Sequence, residues 1–144
     1  MKRLVTLLVT ALLMTAALCV SASAADYQSA AEDLSAIGMF RGTVNGGFEL
    51  DRAPKRSEAA IMLVRLYGAE EEAAAAYQSG EISHPFKDVG PIASPYVAWL
   101  YTKGITKGAT ATTFNSNAAC TDKNYVVFLL RALGYEDGKD FQYA

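Results

Sequence analysis

Cysteine, histidine, tryptophan and clustered basic residues are all scarce in this sequence, and each shortage closes off a class of function. There are two cysteines, Cys19 and Cys120. Cys19 lies inside the apolar run at the start of the chain, and the bulky Leu18 before it stands where lipoprotein processing favours a small side chain. If that run is removed, Cys120 is left alone and no intramolecular disulfide can form. Cys120 has no histidine or base near it in sequence, so it reads as a buried structural thiol. His84 is the single histidine, with no second ligand at metal spacing, and reads as part of a solvent-exposed linker; no metal is expected. Nucleophile elbow, H-E-x-x-H, P-loop and dinucleotide fingerprint are all missing, so no catalytic residue and no cofactor is assigned. With 13 basic and 15 acidic residues and no basic cluster, neither nucleic acid nor an anionic membrane suits the surface.

What is present begins with a leader. Met1-Lys2-Arg3 is basic, Leu4 to Val20 carries no charge, and Ser21-Ala22-Ser23-Ala24 supplies small residues for an A-x-A cleavage site. The run is long enough for a marginal transmembrane helix, but no basic stop-transfer residues follow it. Residues 1–24 therefore read as a signal peptide, with no membrane partner after cleavage. Loss of Lys2 and Arg3 leaves 11 basic against 15 acidic residues, a net charge of −4.

The remainder repeats itself. A shift of 66 positions aligns Leu34 with Leu100, Gly38 with Gly104, Gly42 with Gly108, Phe48 with Phe114, Leu63 with Leu129, Arg65 with Arg131 and Gly68 with Gly134, without a gap between residues 31 and 136. Each copy reads helix, glycine-rich loop, helix. Tyr27, Ala31 and Leu34, and later Val97 and Leu100, keep helical spacing, with Gly38 and Gly104 as stops. Gly42 to Gly47 has turn chemistry. Phe48 and Phe114 are expected to anchor the core ahead of second helices carrying Ile61, Leu63, Val64 and Tyr67, or Val127, Leu129, Leu130 and Leu133. Gly68 and Gly134 close these helices, with Arg65 and Arg131 in the last turns, where the helix dipole favours a cation. Ala69 to Tyr77 should continue as helix with Glu70-Glu71-Glu72 as a solvated face; Ser79-Gly80 breaks it and His84-Pro85 opens the second copy in extended form. The expected class is all-α: unit one at 25–68, a helical linker at 69–83, unit two at 84–136, and 137–144 as a tail or the opening of a third unit.

The pattern Phe86-Lys87-Asp88-Val89, Leu100, Gly104-Ile105-Thr106-Lys107-Gly108, Phe114 and Leu130-Arg131-Ala132-Leu133-Gly134 resembles the S-layer homology (SLH) repeat. The earlier copy matches through Gly38-Met39-Phe40-Arg41-Gly42, Gly47-Phe48, Lys55-Arg56-Ser57-Glu58 and Met62-Leu63-Val64-Arg65. The resemblance implies helical repeats, usually three together, that bind secondary cell-wall polysaccharide without covalent attachment, an anionic and often pyruvylated glycan. It implies a secreted protein held at the cell wall. The family's tetrapeptide, threonine-arginine-alanine-glutamate, opens the second helix as a capping box, and its arginine faces the glycan.

Both copies depart from that tetrapeptide. Lys55-Arg56-Ser57-Glu58 keeps the arginine and glutamate but loses the capping threonine, at about 1 kcal/mol unless Asp51 or Ser57 takes over. Thr121-Asp122-Lys123-Asn124 keeps the cap but puts aspartate where arginine belongs, which would repel an anion. The family's early tryptophan has no counterpart, and Trp99 reads as core. The resemblance thus assigns glycan contact to Arg56, Glu58, Asp88, Gly42 and Gly108. Each has a structural alternative: Arg56 pairing with Glu58 or Asp51, Asp88 capping the next segment, and the glycines serving backbone geometry. The rival expectation is an SLH fold that has lost its glycan and binds protein instead, with an apolar groove filled by a third repeat or by self-association.

Overall fold

The structure, a computed structural model, describes residues 26–43 and 46–143. The signal-peptide reading of 1–24 and part of the Asn-Gly turn at 44 and 45 lie outside the described residues. Those described form five helices and no strand: α1 (Asp26–Ala36), α2 (Arg56–Leu66), α3 (Glu70–Gln78), α4 (Ser94–Thr102) and α5 (Asp122–Ala132). Two isolated bridges join Lys55 to Ala119 and Asp137 to Phe141.

The core forms where α4 lies across α3 and α2. Helix α4 is apolar on most of its circumference, so Val97, Ala98, Trp99 and Leu100 are all buried. They meet Leu63 and Val64 of α2 and Ala73 of α3, with Phe86, Phe114 and Phe128 closing one side. Leu63, Leu100 and Phe114 are wholly buried, which makes each worth about 2–5 kcal/mol against truncation to alanine.

Backbone detail recurs at the 66-residue spacing. Gly38 and Gly104 have φ of 76° and 73°, Gly42 and Gly108 of 69° and 77°, Gly68 and Gly134 of 66° and 88°. Glu49 and Asn115, the two non-glycine residues with positive φ among those described, stand in the same relation. The hydrogen bonds follow: Met39 and Phe40 N–H donate to Leu34 O as Ile105 and Thr106 N–H donate to Leu100 O. Thr43 N–H bonds Gly47 O as Ala109 N–H bonds Thr113 O. A similar ionic brace occurs in both halves, Arg41 and Arg65 on Glu70 and Lys107 and Arg131 on Asp137, with the acid one residue further along in the second.

Several sequence expectations need correction. Phe114 is core, but Phe48 is only half-buried and stacks instead on Phe40, with centroids 5.1 Å apart. The helix expected over 69–77 is present as α3, set off from α2 by the left-handed Gly68 that was expected to close it. Tyr67 and Leu133 are exposed at the ends of their helices, although Tyr67 leans on Trp99 and donates its hydroxyl to Ala132 O. Glu70-Glu71-Glu72 is not simply a solvated face: Glu70 takes Arg41, Arg65 and the Tyr96 hydroxyl, and Glu72 accepts from the Trp99 indole. His84 is no free linker residue. Its ring lies between Tyr77 and Phe86, its Nδ1 accepts the Phe86 N–H at 3.1 Å, and burial holds its pKa below the usual histidine value.

Gly108 and Gly104 share a left-handed backbone but not a setting. A Cβ on Gly108 would stand 2.3 Å from a ring carbon of buried Phe86 and 2.7 Å from Thr110 O, whereas one on Gly104 would meet nothing within 4 Å. Gly108→Ala should therefore lower unfolding free energy by about 3 kcal/mol, overpacking adding to backbone strain, and Gly104→Ala by about 1 kcal/mol from strain alone. Urea denaturation of the two variants measures the difference.

Candidate functional site

The site grows from the way α2 begins. Its first amides have no partner inside the helix, and Lys55 at the cap has no acceptor to offer them. The loop before α5 supplies the acceptors. Arg56 N–H donates to Ala118 O at 2.8 Å, and Ser57 donates through its N–H and hydroxyl to Ser116 O at 3.1 and 2.9 Å. Cys120 N–H returns a bond to Pro54 O at 2.7 Å. The tertiary joint takes the first two amides of α2 rather than the third, which a threonine cap would serve, and the Ser57 hydroxyl is spent on Ser116 O instead of capping. Thr121 caps α5 in the ordinary way, accepting Asn124 N–H at 3.2 Å.

Glu58 completes the start of α2 by accepting Lys55 N–H at 2.7 Å. Arg52 grips the same carboxylate at 2.7 and 2.9 Å and holds it below the usual glutamate range. That engagement removes Glu58 as a partner for Arg56. Asp88 works on the opposite loop, where its two oxygens accept Phe114 N–H at 2.7 Å and Ser116 N–H at 3.0 Å. Burial alone would raise the Asp88 pKa, but the amides outweigh it and the net shift is downward.

Arg56 is left with its guanidinium between two rings, 4.8 Å from the Phe114 centroid and 4.7 Å from that of Phe128. It is half-buried, it forms no ion pair among the described residues, and its Nε is buried without a hydrogen-bond partner. Desolvation pulls its pKa down from the usual arginine value. It stays cationic, since that value starts far above neutrality.

Beside it is a cavity of about 270 Å³, lined by Arg56, Gly108, Asn115, Asn124, Arg131 and Tyr143 among others. Arg131 is already neutralised: it donates to Asp137 at 2.7 and 3.0 Å and to Ile105 O at 3.3 Å. Tyr143 donates to Asn124 Oδ1. The cavity therefore offers one unbalanced positive charge, two carboxamides and an aromatic ring. Such a set can hold a carboxylate by charge-assisted hydrogen bonds while the amides meet neighbouring hydroxyls.

Of the residues that sequence singled out, Arg56 and Gly108 meet in this cavity. The Gly108 amide is committed to the Thr106 hydroxyl, so Gly108 contributes space rather than a donor. Glu58 and Asp88 build the walls without lining the cavity, and Gly42 belongs to the first glycine loop, where its backbone packs under Gly47 O. Asn115, Asn124, Arg131 and Tyr143 had carried no functional assignment; Arg131 had been read only as a helix-end cation.

A family model described as the S-layer homology domain matches residues 85–121. A search of curated proteins returns no relative. The matched stretch contains Asp88, Gly108 and Phe114 and ends at the residue that caps α5; Arg56 lies outside it.

The Asp88 clamp makes the loop acid-sensitive. Its folded pKa is below the unfolded value, so its stabilisation is complete above about pH 4 and fades as pH falls through the folded value. Asp88→Asn should cost about 2 kcal/mol at pH 7 through loss of charge-assisted bonds, and the difference from the parent should shrink by pH 3. Thermal melts at both pH values test this; an equal deficit at both would exclude the clamp.

Proposed function

We propose, from the match of the S-layer homology domain model to residues 85–121, that the chain is a module of cell-wall attachment and anchors at the bacterial cell wall by binding an anionic glycan in the Arg56 cavity. The observation that carries the reading is the Arg56 guanidinium, desolvated between two rings and without a carboxylate partner among the described residues. A half-buried cation without a counter-ion is unfavourable in the free protein, so a carboxylate-bearing sugar gains from pairing with it. Pyruvylated secondary wall polymer is the ligand class that fits. Asn115 and Asn124 would serve the ring hydroxyls.

The same proposal takes the chain as one helical unit used twice, 25–68 and 84–136 joined through 69–83, following export by the leader at 1–24. The paired φ angles and hydrogen bonds at the 66-residue spacing support the duplication. Charge at the two tetrapeptides supports a single working site: Arg56 opens α2 where the exposed Asp122 opens α5. No helix among the described residues is long and apolar enough to cross a membrane.

The exposed Val126 and Leu133 on α5 favour a second reading, in which the module binds protein rather than glycan. Binding to isolated wall sacculi separates the two. The purified chain should sediment with polymer-bearing sacculi and remain in solution once the polymer is stripped. Arg56→Ala should weaken binding ten- to a hundredfold, about 1.5–3 kcal/mol for a hydrogen-bonded charge. Arg56→Lys should recover only part of this because a bidentate fork is lost. Undiminished binding by Arg56→Ala, or equal binding to stripped sacculi, would refute the glycan reading.

A further inference from the structure

We propose that two copies of this chain associate head to tail, the α1 face of each lying on the α5 face of the other. The template is inside the chain. Where α4 crosses α2, Ala60, Leu63 and Val64 are wholly buried and Tyr67 packs on Trp99. Sixty-six residues on, the matching face of α5 is Val126, Leu129, Leu130 and Leu133; Leu129 and Leu130 are half-buried, and Val126 and Leu133 have no such cover. Val126 is 50% exposed and Leu133 75%.

The helix that corresponds to α4 at the same spacing is α1, which buries Ala31 but leaves its end uncovered. Leu100 is fully buried, whereas Leu34 in the matching place is 38% exposed and Ile37 at the end of the helix 70%. The core cluster takes no residue from α1. One chain thus has one uncovered receiving face and one helix of the type that covers it. These two leftovers satisfy each other across a pair of molecules, and a two-fold arrangement closes both contacts with no open end.

Charge agrees with this pairing. Helix α1 contains Glu32 and Asp33 and no basic residue. Asp33 holds the place of Trp99, which in the template donates to Glu72 on α3. Beside the receiving face, Gly138 and Lys139 hold the places of Glu72 and Ala73, and Lys139, which pairs with Glu136 at 3.6 Å, is the cation nearest in register to an acid on α1. An α5-to-α5 contact would bring Lys139 towards its own copy and leave α1 uncovered.

The test is sedimentation equilibrium on the exported chain at micromolar concentration, where the mass should be that of two copies. Leu133→Glu and Ile37→Glu each change an exposed residue, so circular dichroism and melting temperature should be unaltered. Each variant alone should weaken association at least tenfold. Mixing the two should restore pairs, because a mixed pair retains one intact α1-to-α5 contact. A monomer at all concentrations overturns the proposal, as would a dimer indifferent to Ile37→Glu or a mixture that fails to recover. Coverage of α5 by a further segment of the same chain would appear as that monomer.

Discussion

Two amides at the start of α2 have no partner in their own helix, and the way the chain satisfies them determines much of the rest. Carbonyls of Ser116 and Ala118 accept from Ser57 and Arg56, and the Cys120 amide bonds back to Pro54. These short bonds tie a helix start to a loop some sixty residues later, which orders the loop that Asp88 also holds. A cap side chain serves the third amide of a helix, as Thr121 does for Asn124, so the first two amides of α2 look outside the helix for acceptors. The long-range joint supplies them, and the cavity lies along that joint.

The joint also explains why a charged side chain sits half-buried. Arg56 is the first residue of α2, so docking the helix start against the loop carries its guanidinium between Phe114 and Phe128. Cation–π contact of this kind is worth about 1–2 kcal/mol when desolvated, which offsets part of the dehydration but supplies no hydrogen bonds. Elsewhere arginines are answered: Arg52 by Glu49 and Glu58, Arg65 by Glu70, Arg131 by Asp137. Against that background the unanswered one is informative. The rings hold its plane in place before any ligand arrives, which reduces the ordering entropy that binding would otherwise involve.

Much of the fold was legible because glycine and leucine mark it directly. Left-handed turns at Gly38, Gly68, Gly104 and Gly134 and the burial of Leu63, Val97 and Leu100 follow from local chemistry and periodicity. Phe48 was misread because equivalence in sequence does not carry equivalence in surroundings: Phe114 is closed in by Phe86 and Arg56, while Phe48 has Phe40 as its ring partner. His84 was misread for a related reason, since stacking on Tyr77 and Phe86 has no periodic trace. At the site, Arg56 could be picked out from its tetrapeptide, but Asn115 and Tyr143 reach the cavity only through the fold of the 113–118 loop and the tail, and Asn124 through the docking of the first turn of α5.

A single cationic cavity on a chain with more acids than bases is a modest grip on an anionic polymer. Screening limits the opposing long-range field to about 8 Å at physiological ionic strength, so attraction and repulsion are both settled at contact, where Arg56 dominates. One charge-assisted contact of this size corresponds to weak binding, and anchoring of a surface protein needs more. Repetition along the glycan supplies it only if the protein also presents more than one cavity. Among the described residues the charge reversal at Asp122 denies a second one, whereas the proposed association of two copies would provide it without any new contact chemistry. Linked sites of this kind gain about 10²–10⁴ in avidity from effective concentration alone. The unsatisfied α5 face and the lone Arg56 site are therefore two sides of one arrangement: what the second half of the chain lacks in charge, its apolar face can recover by recruiting another copy.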